Sequence, residues 1–186
     1  MLTLLLMLAF SLPCNGQGNG VYRGCEGGMM IHTGFLSGNI EPIGYKVKGA
    51  PIGVGGFVRV RLGDYVRVGA EGYMSKLGQM DNGSFINYGW GGILCDFYLN
   101  IGEKFFPFAG LTVGGGASKD YLLFESDYYY ESRGFFALDP FVGCELQLLS
   151  FMRLSIKLDF LNCIGGQPAK SIPMGPRLYF GFVFTH

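Results

Sequence analysis

The chain has 186 residues, the length of a single domain. Charged residues make up 15% of it and glycine occurs 32 times, whereas average proteins have about 25% charged residues and about 7% glycine. The formal net charge is zero and the basic residues are scattered, which excludes a nucleic-acid-binding surface.

Beyond the N-terminus, no stretch of about 18 uncharged apolar residues occurs, so membrane-spanning helices are not expected. The other structure that satisfies every backbone polar group within lipid is a closed barrel, whose strands pair all round and leave no edge. The sequence therefore predicts an all-β, transmembrane, up-and-down antiparallel β-barrel of about eight strands over residues 17–186.

The N-terminal segment MLTLLLMLAFSLPC is apolar for about a dozen residues, the length of a signal-peptide core and too short to span a bilayer. No Lys or Arg precedes this core, but we predict a signal peptide over residues 1–16. Lipidation is not favoured, because Pro13 precedes Cys14 where a small residue is wanted. The later cysteines are interpreted as small apolar residues rather than disulfide partners: Cys25, Cys95, Cys144 and Cys163.

The first predicted strand, EGGMMIHTGFL, is followed by a hairpin around Gly63 and Asp64. If Met29 and Ile31 face lipid, His32 faces the lumen, because successive side chains point to opposite faces of a strand. On the two arms of the hairpin, aliphatic residues alternate with side chains that we predict to face the lumen: Arg59, Arg61, Arg67 and Glu71.

The fourth and fifth strands are predicted at SFINYGWGGILCDFYL and KFFPFAGLTVGGGA. Asp96 is expected to join the lumen charges if its strand carries a bulge. The glycine clusters do not open a helix and lack the Lys-Ser/Thr of a phosphate-binding loop. We interpret these glycines as relieving crowding beside bulky lumen residues.

The longest predicted outer loop, residues 118–134, contains a tyrosine cluster between acidic residues: Tyr128, Tyr129 and Tyr130. Exposed tyrosines are typical of recognition surfaces and equally of membrane interfaces. The sequence does not decide between these two roles, and a recognition role remains one expectation.

The sixth and seventh strands, LDPFVGCELQL and FMRLSIKLDF, form a hairpin around Ser150, and MGPRLYFGFVF is the last strand. A short turn would place Glu145 opposite or diagonal to Arg153. The predicted lumen charges on these three strands are Asp139, Glu145, Arg153, Lys157, Asp159 and Arg177. Eight strands leave only enough interior for side chains, so we expect a plugged lumen of nearly balanced charge.

Connection lengths alternate along the chain, as in barrels with short periplasmic turns and long outer loops. Short links lie at Gly63, at NIGEK and at Ser150, and the longer ones are residues 38–49, 77–83, 118–134 and 162–173. Aromatic residues gather beside the short turns, as an interfacial girdle requires: Tyr65, Phe97, Tyr98, Phe105, Phe106, Phe151, Phe182 and Phe184.

With these features the chain resembles the small outer-membrane barrels of the OmpA/OmpX type. The closing strand RLYFGFVF also looks like the aromatic last strand that the barrel-assembly machinery recognises, although Thr185 and His186 follow the final Phe. The resemblance implies insertion in the outer membrane of a Gram-negative bacterium, with outer-membrane lipid and the assembly machinery as partners. Barrels of this type include adhesins, structural anchors, small channels and a few enzymes, so the fold does not choose the function.

Three functions remain open at this stage, and none needs a cofactor or metal. The favoured one is a non-enzymatic barrel whose outer loops have a structural role or contact an extracellular ligand. The second is a lipid-modifying enzyme centred on His32, with Ser37 nearby in sequence but no identifiable activating carboxylate. The third is a soluble lipocalin-like carrier, which the low charged fraction disfavours.

Overall fold

The computed structural model describes residues 21–40, 45–77, 85–124, 127–164 and 175–186. The predicted signal peptide lies outside these residues. Within them no helix is long and apolar enough to cross a membrane. Ten strands are present: β1 (Tyr22–Gly34), β2 (Leu36–Ile40), β3 (Tyr45–Gly49), β4 (Ile52–Leu62), β5 (Val66–Leu77), β6 (Phe85–Tyr98), β7 (Phe105–Phe124), β8 (Asp127–Leu149), β9 (Met152–Ile164) and β10 (Gly175–Thr185).

Eight of these strands form a closed antiparallel barrel in the order β1, β10, β9, β8, β7, β6, β5, β4. Strand β1 closes the barrel because it pairs with β4 on one side and with β10 on the other. The predicted eight-stranded barrel is therefore confirmed. The remaining two strands, β2 and β3, pair with each other in a separate hairpin.

The barrel has two distinct ends. The turn end carries the short connections at 63–65, 99–104 and 150–151 together with residues 21 and 186, the first and last that the structure describes. The loop end carries the β2–β3 hairpin and the outer parts of β7 and β8. In barrels of this class the short turns are periplasmic, so the loop end is the extracellular end.

Side chains alternate strictly between the lumen and the exterior, as the period of two along a strand requires. On β9, Ile156 is 42% exposed whereas Lys157 is 4% exposed. The apolar face of each barrel strand is therefore the outer face, and the charged face is the inner one.

Glycines on the inner face make room for large side chains. A Cβ added at Gly143 would collide with the ring of Phe108 and with the carbonyl oxygen of Ile156, and one added at Gly53 would collide with the imidazole of His32. A narrow barrel can hold large aromatic and basic side chains only if some neighbouring residues on the inner face have no side chain.

Three details of the sequence interpretation are wrong. The segment predicted as a long loop, residues 118–134, is strand wherever it is described: residues 118–124 continue β7 and residues 127–134 belong to β8, with pairing that runs as far as Phe124 opposite Asp127. Asp96 reaches the lumen without a bulge, because β6 keeps a regular register with both neighbours. Tyr98 and Phe106 do not belong to the outer girdle: they are 6% and 5% exposed and face the lumen.

Candidate functional site

The lumen at the turn end holds a cluster of buried arginines and carboxylates. Arg67 donates from Nε to Asp96 Oδ1 at 2.6 Å, and Arg153 Nη1 lies 3.2 Å from Glu145 Oε2. Arg59 and Arg67 also donate to Glu145, so that three guanidiniums share one carboxylate. Buried charges are tolerated only when they are paired in this way.

Glu26 completes this cluster and was not named from the sequence. Its Oε2 lies 2.8 Å from Arg59 Nη2 and its Oε1 lies 3.1 Å from Arg153 Nη1. Arg61 lies at the rim of the cluster, with a side chain 23% exposed, and its Nε lies 3.5 Å from Glu26 Oε1. The period of two along a strand could have identified Glu26 from the sequence. It lies an even number of positions before His32, which was predicted to face the lumen, so both side chains point to the same side.

Aromatic rings cover the guanidiniums of the turn-end cluster. The Cζ of Arg153 lies 3.9 Å from the ring centroid of Phe106, and the Cζ of Arg67 lies 4.6 Å from that of Tyr98. Cation–π attraction is strongest where water is excluded. These contacts explain why the two aromatic residues face inward rather than toward lipid.

At mid-height, Glu71 accepts hydrogen bonds from three sides. Lys157 Nζ lies 2.8 Å from Glu71 Oε2, Thr112 Oγ1 donates to Oε1 at 2.6 Å, and Tyr73 donates to Oε2 at 3.2 Å. A carboxylate with this many donors is fully paired, and it links β5 to two other strands, β7 and β9.

A third group of charges lies nearer the loop end. Arg177 Nη2 lies 2.7 Å from Asp159 Oδ2 and 3.2 Å from Asp139 Oδ1. Further out, Arg133 Nη2 lies 3.1 Å from Asp120 Oδ2, a pair that the sequence analysis did not name. The alternation of side chains along a strand would have placed both residues in the lumen, but they lie in residues 118–134, which the sequence analysis interpreted as a loop.

Little open space remains between these groups. A void of about 10 Å³ lies at mid-height among Met30, Phe57, Glu71, Phe108 and Lys157, and one water molecule needs about this much space. Side chains therefore fill the described part of the lumen at this level.

His32 has a hydrogen-bonding partner that the sequence did not indicate. Its Nε2 lies 2.6 Å from Ser75 Oγ, and its ring packs on Tyr179 with centroids 4.6 Å apart. Nδ1 has no hydrogen-bond partner among the described residues, so no carboxylate orients the imidazole as a catalytic base requires. The side chain of Ser37 is outside the described part of the molecule.

The three tyrosines predicted for recognition in an outer loop lie in a strand instead. Their backbones lie in β8, where Tyr130 pairs with Tyr121 and Tyr128 pairs with Leu123. Tyr130 is 54% exposed, while the side chains of Tyr128 and Tyr129 fall outside the described residues. A recognition role for them stays a prediction.

Neither the cysteines nor the other residue types that bind metals form a further site in the described ranges. Cys25, Cys95, Cys144 and Cys163 form no disulfide bonds with one another. Within the same ranges, no group of three or more His, Cys, Asp or Glu side chains could hold a metal ion.

The exterior between the two ends is apolar. Val54, Ile93, Val142 and Leu158 are all 48% or more exposed, while the charges lie inside. This arrangement is the opposite of a lipocalin-like carrier, which needs its aliphatic face inside. The barrel is built to span a membrane, and single-chain barrels of this size and topology are outer-membrane proteins.

No protein-family model matches the chain, and no curated protein matches it. Solved structures are similar to it in fold. Neisserial surface protein A is 12% identical, with 88% of this chain and 97% of that one covered and a TM-score of 0.64. Ail of Yersinia pestis, in complex with the heparin analogue sucrose octasulfate, is 13% identical over 88% of this chain and 100% of that one, with a TM-score of 0.57. The N-terminal β-barrel domain of Pseudomonas aeruginosa OprF is 9% identical over 89% of this chain and 99% of that one, with a TM-score of 0.55. At this level of identity the likeness concerns the fold, and the chain has the fold of the small outer-membrane β-barrels.

Proposed function

We propose that this chain is a non-enzymatic outer-membrane barrel whose lumen is a structural plug and whose specific contacts are made at the loop end. The observation that carries the proposal is the filled lumen. Ion pairs link β1, β4, β5, β6, β8 and β9 across the turn end, and the void above them has room for about one water molecule. A passage for solutes needs a continuous water-filled path, which such packing removes.

The contacts at the loop end would be made by the long β7–β8 hairpin, whose strands have 20 and 23 residues. A membrane-spanning strand needs only about 9 to 11 residues, so both strands extend well beyond the bilayer. Paired strands present side chains more rigidly than a loop does, which lowers the entropy cost of binding a partner. A structural or an adhesive role fits this hairpin.

Conductance in planar bilayers tests the plugged lumen. We expect the purified protein to give no large, stable open channels, because ion pairs and rings fill the barrel. Replacing Phe108 and Phe141 together with alanine removes two rings that line the void and should produce frequent brief openings. Phe136→Ala removes the same ring from the lipid-facing side and should leave the bilayer as silent as the wild type. Large, stable channels from the wild-type protein would replace this proposal with a passive pore.

A lipid-modifying enzyme is the second candidate, because His32 and Ser75 form a buried hydrogen-bonded pair. Without a carboxylate on His32 Nδ1, we expect no acyl transfer or hydrolysis. Mass spectrometry of lipid A from wild-type, His32→Ala and deletion strains should give three identical spectra. A change in acylation that requires His32, at an unchanged barrel yield, would contradict the non-enzymatic proposal.

A further inference from the structure

One row of outward-facing residues near the loop end differs from the rest of the barrel wall. Strand pairing aligns Lys76 on β5 with Asn87 on β6, Asn87 with Lys119 on β7, and Lys119 with Ser132 on β8. We call these four residues the lysine row. Both lysines and Ser132 are exposed on the exterior, and at about 4.8 Å per strand the lysine Cα atoms are roughly 10 Å apart.

The lysine row begins, at Lys76, at the height where the outer leaflet meets the medium. From Val66, the first residue of β5 after its turn, to Lys76 the strand advances by about ten residues, which at ~3.3 Å each and a tilt of about 40° is a rise of roughly 25 Å. The apolar band of an outer-membrane barrel has about this height. Lys76 is therefore level with the headgroups of the outer leaflet. Lys119 lies further out, because 14 residues separate it from Phe105 at the start of β7, but at roughly 10 Å from Lys76 it is within reach of the same headgroup.

Among the described residues, no acidic side chain balances the positive charge of this row. No described carboxylate forms an ion pair with Lys76 or Lys119, and the Nζ of Lys76 lies 5.0 Å from the ring centroid of Phe85. On the turn-end surface, by contrast, Arg23 Nη2 lies 3.4 Å from Asp64 Oδ1. The lysine row is thus complementary to an anion that reaches the wall from outside.

The rows on either side of the lysine row differ from each other. The row on the membrane side is suited to acyl chains, and the row on the outer side is suited to the polar part of a glycolipid. On the membrane side a shallow groove lies between two exposed side chains, because the next two rows of outward positions are Met74, Gly89, Ala117 and Gly134, and then Gly72, Gly91, Gly115 and Phe136. On the outer side Phe85 and Tyr121 are stacked with centroids 4.5 Å apart, and Tyr130 continues the row at 5.0 Å from Tyr121. Tyrosine rings with a polar tip are typical of this boundary.

We propose that the lysine row binds the phosphorylated headgroup of an outer-leaflet glycolipid of the lipid A class, with acyl chains against the glycine-lined wall. A soluble polyanion, such as a sulfated sugar, fits less well. Both lysines are on the outer wall of the barrel, which lipid surrounds, and the Nζ of Lys76 lies beside Phe85 of the aromatic row, which separates the lysines from the medium. The proposal concerns the outer wall and does not depend on the state of the lumen.

Binding of bisphosphorylated lipid A to the purified barrel in zwitterionic detergent, counted by native mass spectrometry, tests the proposal. Lysines at a membrane surface contribute about fivefold each to anion binding, so we expect about fivefold weaker binding for Lys76→Gln or Lys119→Gln and about 30-fold for the double variant. Lys104→Gln, at the turn end, is the matched control and should bind as the wild type does. Wild-type protein should bind phosphate-free lipid A as weakly as the double variant binds the phosphorylated form.

A second variant tests the wall without changing charge. A Cβ at Gly89 would make only ordinary contacts, 3.6 Å from the carbonyl oxygen of Tyr73 and 3.7 Å from Cγ of Met74, so Gly89→Leu should fold and weaken lipid A binding by filling the groove. The shift in gel mobility on boiling verifies the fold of each variant. Binding by the double variant within twofold of wild type, or equal binding of phosphate-free lipid A, would overturn the proposal. Lysine-dependent binding of sucrose octasulfate without binding of lipid A would overturn it in favour of a soluble polyanion.

Discussion

Glu145→Gln is expected to lower the free energy of unfolding by about 3 to 5 kcal/mol, the cost of leaving a buried charge without its partner. Glu145 accepts from Arg59, Arg67 and Arg153, all within a part of the lumen that excludes water. An amide keeps the shape of the carboxylate but supplies no charge, so three guanidiniums would share the two remaining acids. Reversible urea unfolding from lipid vesicles measures this loss.

Two further variants separate the ionic effect from a general effect of substitution. Glu103→Gln, at an exposed turn position, should change the free energy of unfolding by less than about 0.5 kcal/mol. Adding Arg153→Met to Glu145→Gln restores the balance of charge in the cluster, so the double variant should cost clearly less than the sum of the two single ones. If Glu145→Gln costs no more than Glu103→Gln, the cluster does not stabilise the barrel.

Ile156→Arg should cost roughly 2 to 4 kcal/mol, because the side chain points into lipid near the middle of β9. The same substitution at Thr33, on the outer face near the loop end, should cost only about 0 to 1 kcal/mol, since an arginine there reaches the headgroups. The same unfolding experiment compares the two. Equal costs would mean that the depth of these residues in the membrane is misassigned, and a shift of register by one residue would reverse the faces.

The sequence by itself determined the fold class and the face of most strand residues, although it misassigned Tyr98 and Phe106. The alternation in FMRLSIKLDF separates Ile156 and Leu158 from Lys157 because successive side chains in a strand point to opposite sides. A charged face can be inside a narrow closed barrel and an aliphatic face outside only when lipid is the solvent. The alternation of short and long connections then predicted which end faces the periplasm.

The extent of β7 and β8 could not be determined in the same way. Beyond the bilayer a paired strand no longer needs an apolar face, so residues 118–134 lack the alternation that marks the other strands. Their polar and aromatic composition is that of a loop, and only the pairing of Tyr121 with Tyr130 shows a continuous hairpin.

The sequence predicted one lumen contact, between Glu145 and Arg153 across the turn near Ser150, and tertiary structure alone decided which lumen residues meet across the barrel. Glu26 and Arg153 are 127 positions apart in sequence, and Glu71 and Lys157 are 86 positions apart, yet each pair is in direct contact. A period of two gives the face of a side chain but not its height in the barrel, which depends on the register of every strand pair and on the stagger that closes the barrel. The same register places Lys76 and Lys119 in one row on the outer wall, because each is aligned with Asn87.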